Sequence, residues 1–163
     1  MGVSGVKCHH KSRGGETRAQ SGAGEVFVGS SEHNLDSKGR LVLPHKFRDA
    51  FDGKAYLSLS NDDVLGLWTE SEFLRRMQTL SARIDDNLVE ERRFRRLASM
   101  SQEVEIEPSQ GRIAIPERLR RHSNLTIGSP VLITGFYKHI ELWNPSDFEA
   151  RVLNDLQEGG TPA

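Results

Sequence analysis

Alternation of apolar and polar residues marks two short segments of the chain, Leu41-Val42-Leu43 and Ile113-Ala114-Ile115, with large aliphatic side chains at every second position. A period of two turns one face of an extended segment toward a core and the other toward solvent, so each predicts a half-buried strand. Both follow Gly-Arg and precede proline. Gly39-Arg40-Leu41-Val42-Leu43-Pro44 aligns with Gly111-Arg112-Ile113-Ala114-Ile115-Pro116 at an offset of 72 residues, and Phe47-Arg48 carries the register onto Leu119-Arg120. Further along, Leu67-Trp68 meets Leu142-Trp143 and Glu72-Phe73 meets Asp147-Phe148 at an offset of 75, so the second copy carries three extra residues, read as a loop insertion. The chain is an internal repeat.

Within each copy the glycine allows positive φ and hence a tight turn ahead of the strand. Pro44 and Pro116 suit a first helical position, where a missing N–H costs nothing, and Phe47, Ala50 and Phe51, or Leu119, supply the inward helix face. Tyr56 to Ser60 and Val64 to Trp68 flank the turn-forming Asn61-Asp62-Asp63 and predict a hairpin; Val131 to Thr134 and His139 to Trp143 predict its counterpart. A closing helix follows from about Glu70 and from about Pro145, with Thr69 and Asn144 as N-caps. Between the copies Phe73, Met77, Leu80 and Ile84 recur at helical spacing, and Asp85-Asp86-Asn87 interrupts the pattern before a second helix whose buried side is marked by Leu88, Phe94 and Leu97. Trp68 and Trp143, each ending an apolar strand, read as core anchors.

The expected organisation is a tail over 1–25, a first repeat over 26–73, a helical linker over 74–100, a second repeat over 101–148, and a helix end with tail over 149–163. The 1–25 segment is Gly/Ser-rich and basic without apolar periodicity, so it is expected to be disordered. No apolar run approaches the length of a membrane span, and a lone cysteine, Cys8, cannot form an internal disulfide, which together favour a reducing cytoplasm. Cys8-His9-His10 lacks the further ligands that zinc requires, so no metal and no cofactor is expected.

The formal net charge of -1 hides a marked asymmetry. His33 to Arg48 carries +3 and Gln110 to His122 carries +3, whereas Glu141 to the C-terminus carries -4. Two basic patches therefore coincide with the two Gly-Arg turns, as a phosphate-binding surface requires. In the first turn Asp36 and Arg40 stand four residues apart across Gly39; the acid can bind turn amides and orient the arginine while Lys38 projects from the tip. The same residues also fit a structural ion pair, and on local chemistry alone both readings stand. Lys46 and Arg48 follow in the next helix and could add backbone contacts, whereas Arg120 reads as a solvated charge at a helix C-terminus. The run Glu90-Glu91-Arg92-Arg93-Phe94-Arg95-Arg96 supplies its own acidic partners and reads as a solvated or oligomer-facing helix. His33, Asp36 and Ser37 have no recognised catalytic spacing, and no enzyme activity or small-molecule substrate is expected.

Val26-Phe27-Val28-Gly29, His33-Asn34-Leu35-Asp36-Ser37-Lys38-Gly39-Arg40-Leu41-Val42-Leu43-Pro44 and Phe47-Arg48 resemble the start of the bacterial MraZ family. Val89-Glu90-Glu91-Arg92-Arg93, Gln110-Gly111-Arg112-Ile113 and Glu141-Leu142-Trp143 extend the resemblance to Phe148. It implies an α+β fold of tandem AbrB-like swapped-hairpin β-barrel half-motifs, which form an internal pseudo-dimer with connecting helices and assemble into a ring-like homo-oligomer. It further implies a cytoplasmic, nucleoid-associated repressor of the division and cell-wall gene cluster that includes its own gene, bound to promoter direct repeats in double-stranded DNA. The DNA-binding residues it implies are Asp36, Ser37, Lys38, Gly39, Arg40, Lys46, Arg48 and Arg112, with Lys38 and Arg40 foremost. The alternative is an oligomeric scaffold of the same fold without specific DNA contact.

Two departures from the family pattern are visible. The acid of the second Asp-x-x-x-Arg element is replaced by Pro108, and Glu107, one residue earlier, is expected on the opposite strand face, which predicts a weaker DNA role for the second copy. Family chains usually start with Met-Phe where this one has Val26-Phe27, so residues 1–25 are expected to be a start-site extension.

Overall fold

The two alternating segments pair with each other. In the computed structural model, which describes residues 25–85 and 87–155, Leu41 lies opposite Ile113 in an antiparallel ribbon, with Arg40 opposite Ala114 and Val42 opposite Arg112. In chain order the elements are β1 (Ser30–Asn34), β2 (Arg40–Val42), α1 (His45–Arg48), β3 (Lys54–Leu59), β4 (Leu65–Trp68), α2 (Glu70–Ser81), α3 (Leu88–Ser99), β5 (Gln102–Glu105), β6 (Arg112–Ala114), α4 (Glu117–His122), β7 (Pro130–Phe136), β8 (His139–Trp143) and α5 (Pro145–Phe148). A π-helical turn at Glu149–Leu153 continues α5. The Cys8-His9-His10 triplet and residues 1–24 of the tail expected over 1–25 lie outside the described residues, as do 156–163.

Strands of the two copies interleave. β1 of the first copy pairs with β7 of the second, Ser30 opposite Thr134 and Asn34 opposite Pro130. β5 of the second pairs with β3 of the first, Leu57 opposite Gln102. The hairpins β3–β4 and β7–β8 join through β4 and β8, giving a six-stranded antiparallel sheet in the order β1-β7-β8-β4-β3-β5 beside the β2–β6 ribbon. The physical reason is the shortness of the strands: a strand of three to five residues has too little edge to be stable alone. Each short strand is completed by backbone partners from the other copy.

A single core results, and both copies supply it. Leu41, Leu43, Ile113 and Ile115 on the inner ribbon face are buried together with Leu57, Leu67, Ile133 and Leu142 of the sheet and Phe47 and Leu119 of the short helices. Trp68 and Trp143 are buried, as the anchoring positions predict. The helix starts follow the sequence: Thr69 Oγ1 accepts from the Glu72 amide, and Asn144 Oδ1 accepts from the amides of Ser146 and Asp147. Pro44 and Pro116 stand one position earlier than expected, as N-cap residues. Part of the three-residue insertion lengthens a helix: α4 has six residues where α1 has four.

On α3, Leu97 is buried and Phe94 half-buried, but Leu88 is 69% exposed and does not extend the buried side. It opens the helix, more than a turn before the residues that reach the sheet. Among the described residues no helix is long and apolar enough to cross a membrane.

Candidate nucleic-acid interface

Asp36 organises the first turn through both carboxylate oxygens. Oδ1 accepts from the amides of Lys38 and Arg40, each at 2.9 Å, and Oδ2 accepts from Arg40 Nε at 2.8 Å. The Arg40 amide, aided by the Lys38 amide and the Arg40 guanidinium, holds the carboxyl below the usual aspartate range. Gly39 closes the turn at φ +75°, its amide donating to the Asp36 carbonyl at 3.0 Å. Arg40 is thereby fixed at one nitrogen, with its two terminal guanidinium nitrogens left to meet another acceptor. Ser37 and Lys38 are exposed at the tip.

The second turn keeps this backbone plan with one more residue. Asp36 N–H donates to the Arg40 carbonyl at 2.9 Å, and Glu107 N–H donates to the Arg112 carbonyl at the same distance. Glu107, not Pro108, thus occupies the ladder position of Asp36, contrary to the expectation that it would lie on the opposite face. The added residue is absorbed inside the turn, which shifts the apparent alignment by one. The side chains do not repeat: Glu107 Oε1 accepts from Ser109 Oγ, and Arg112 has no ion pair among the described residues.

Register then brings the two turns onto one surface. With Leu41, Leu43, Ile113 and Ile115 facing the core, Arg40, Val42, Arg112 and Ala114 share the outer face of the ribbon. Arg40 lies opposite Ala114, two residues from Arg112, so the two arginines form a diagonal pair with Cα atoms roughly 7 Å apart. A broad open groove beside the ribbon is lined by Lys38, Arg40, Arg112 and Arg120 together with Glu105, Glu107 and Glu117.

Arg48 and Arg120 brace this surface from below. Arg48 Nε donates to the Leu43 carbonyl at 2.7 Å, and its side chain lies against Gly111 of the second turn. Arg120 Nε donates to the Ile115 carbonyl at 2.9 Å, and its guanidinium lies against Gly39 of the first. Arg120 is therefore a half-buried brace between the copies and not a solvated helix-end charge; the sequence signal was its repeat relation to Arg48. Lys46 is exposed, but its ammonium is 4.8 Å from the Phe47 ring centroid and next to Gly29. The predicted site residues thus divide into a turn (Asp36, Ser37, Lys38, Gly39, Arg40), its diagonal partner Arg112, a brace (Arg48), and the separate Lys46.

A family model described as "MraZ protein, putative antitoxin-like" matches residues 26–97 and 100–159. Relatives carrying the name "Transcriptional regulator MraZ" include a protein of Pediococcus pentosaceus, 33% identical over 128 residues that cover 78% of this chain and 87% of the relative. One from Mycolicibacterium vanbaalenii is 32% identical over 133 residues, covering 82% and 88%. Another, from Mycoplasmoides gallisepticum, is 35% identical over 125 residues, covering 76% and 85%.

Proposed function

Because this chain belongs to the MraZ family, whose members named above are transcriptional regulators and not enzymes, we propose that it is a sequence-specific DNA-binding transcriptional regulator acting in the cytoplasm, associated with the nucleoid. The observation that carries this reading is the diagonal pair of Arg40 and Arg112 on the outer ribbon face, with Lys38 at the neighbouring tip. A two-stranded ribbon fits the major groove of duplex DNA, and arginine donates in a fork that matches guanine edges or phosphate oxygens. Arg40, oriented by Asp36, reads or grips DNA; Ser37 and Gly39 shape the turn; Arg112 contributes a weaker contact because its turn lacks the carboxylate clamp. Arg48 acts by holding the second turn, and Lys46 adds charge at the margin.

The interleaved pairings support an organisation of two AbrB-like swapped-hairpin repeats, 26–73 and 101–148, forming an internal pseudo-dimer around the 74–100 linker. The further reading, drawn from the family resemblance, is a ring-like homo-oligomer repressing a division and cell-wall cluster that includes its own gene. A ring lets several weak contacts with promoter direct repeats act together, which suits a small ribbon face. The test is an anisotropy titration of the purified protein against its own upstream duplex and a shuffled duplex of the same composition. A preference of at least about tenfold for the upstream duplex is expected; equal binding, or none, would overturn the reading in favour of an oligomeric scaffold.

A further inference from the structure

A second basic cluster lies in an open groove of about 510 Å³ among α2, α3 and the β7–β8 turn. Arg75, Arg76, Arg83, Arg93 and Lys138 line it, with Glu72 as the opposing acid. That acid is shared and distant: Glu72 Oε1 is 3.6 Å from Arg75 Nη1 and 3.9 Å from Lys138 Nζ. A lone carboxylate among five cations leaves the groove strongly positive in a chain whose net charge is -1.

One polar atom at this groove, Arg76 Nη2, is buried without a hydrogen-bond partner, whereas the neighbouring His139 Nε2 faces Glu141 Oε1 at 3.5 Å. Arg76 makes one long hydrogen bond, from Nη1 to Ser58 Oγ at 3.4 Å, and its guanidinium carbon lies 4.6 Å from the Trp68 ring centroid. Burial, and then the charge of Arg93, pulls the Arg76 pKa down to about 10. Nitrogens so desolvated are costly unless an acceptor completes them, and like charges so close are costly unless an anion offsets them.

The second copy provides an internal control. Trp143 and Arg151, 75 residues beyond Trp68 and Arg76, repeat the stacked pair at 5.0 Å. There the arginine is exposed and donates to the Asp62 carbonyl at 2.8 Å, and the hollow beside it, about 70 Å³, includes Asp63 and Asp147 in its lining. The fold therefore accommodates the Trp/Arg pair without gathering cations around it.

We propose that the groove beside Trp68 and Arg76 binds a small phosphoryl-bearing anion, gripped by Arg76 at the floor and by Arg93 and Lys138 at the rim. Its size suits a small metabolite, and arginine's planar fork suits a phosphoryl group. Trp68 is only 3% exposed, so the recognition is of the anion and not of a stacked nucleobase.

The probe is pyrophosphate, titrated calorimetrically into the full chain at fixed ionic strength, with R93E and K138E as variants at the rim, away from the hydrophobic core. Saturable binding is expected, weakened at least about tenfold in each variant, while the affinity of each for its upstream duplex changes by less than about twofold. No saturable binding, or unchanged pyrophosphate affinity in both variants, would overturn the proposal. So would a loss of duplex affinity matching the loss of pyrophosphate affinity, since DNA phosphate would then be the anion.

Discussion

The guanidinium carbon of Arg120, from the second copy, comes within 3.0 Å of the point where a Cβ on Gly39 of the first copy would stand, and Arg48 approaches Gly111 in the reciprocal arrangement. Each Gly-Arg turn is thus supported by the arginine that follows the other copy's strand. Both arginines also bond their own chain, to the carbonyls of Leu43 and Ile115. The exposed face of the ribbon is therefore held by cross-copy contacts, and the orientation of one turn depends on the fold of the other.

Substitution of the two glycines by alanine should differ in effect. Both have positive φ, at +75° and +67°, which costs an L-residue about 1–2 kcal/mol. At Gly111 the new Cβ would also overlap Arg48 Nε, forcing that side chain off the Leu43 carbonyl. Loss of a charged hydrogen bond adds about 1.5–3 kcal/mol. G111A should be less stable than G39A by that margin in urea unfolding; equal midpoints would remove the argument from close approach.

Acid stability should depend on Asp36. Its pKa is lowered in the folded protein, mainly by the Arg40 amide, so the stabilisation is complete above the unfolded-state value of about 3.9 and is lost as pH falls through the depressed folded value. D36N keeps the size but removes this titration. Urea midpoints measured from neutral pH downward should decline less steeply for D36N in the acid range; parallel curves would mean that the carboxylate contributes no pH-linked stability.

How much of this was legible in the sequence follows from where each signal resides. Period-two alternation at Leu41, Leu43, Ile113 and Ile115 is local, and it gave the ribbon and its buried face. Gly39 and Gly111 were legible because positive φ is a property of one residue. That Arg120 supports Gly39 was not, since its partner is 81 positions away and belongs to the other copy. Glu107 was misplaced for a different reason: fixing the alignment on Gly-Arg set Pro108 against Asp36, whereas the backbone ladder inserts a residue within the turn. Nor can periodicity tell which short strands pair, so the partners of β1 and β5 became visible only in three dimensions, although the family resemblance implied a swap between copies.

Inner and outer ribbon positions should respond oppositely to truncation. Leu43 is fully buried in the shared core, and Leu→Ala at such sites costs about 2–5 kcal/mol. Val42, one residue earlier, faces outward between the two arginines and is only half-buried. V42A should cost under about 1 kcal/mol while leaving the protein folded for DNA measurements. A calorimetric scan giving similar losses for L43A and V42A would contradict the assigned faces.

The arginines themselves allow the two turns to be ranked. Asp36 fixes Arg40 through Nε and leaves its terminal nitrogens available, whereas Arg112 has no carboxylate to orient it and must be ordered by DNA at an entropic cost. R40A should therefore lose most affinity for the upstream duplex, at least about tenfold, with R112A losing less. K38A should weaken upstream and shuffled duplexes alike, as expected for a phosphate contact, and reduce the salt slope by about one. If Arg40 reads a base edge, R40A should also narrow the gap between the two duplexes, because phosphate contacts carry no sequence information. Thermal unfolding of each variant separates these effects from misfolding, since all three side chains lie outside the core. A duplex affinity for R40A equal to that of the unsubstituted protein would sink the assignment of the first turn as the principal DNA contact.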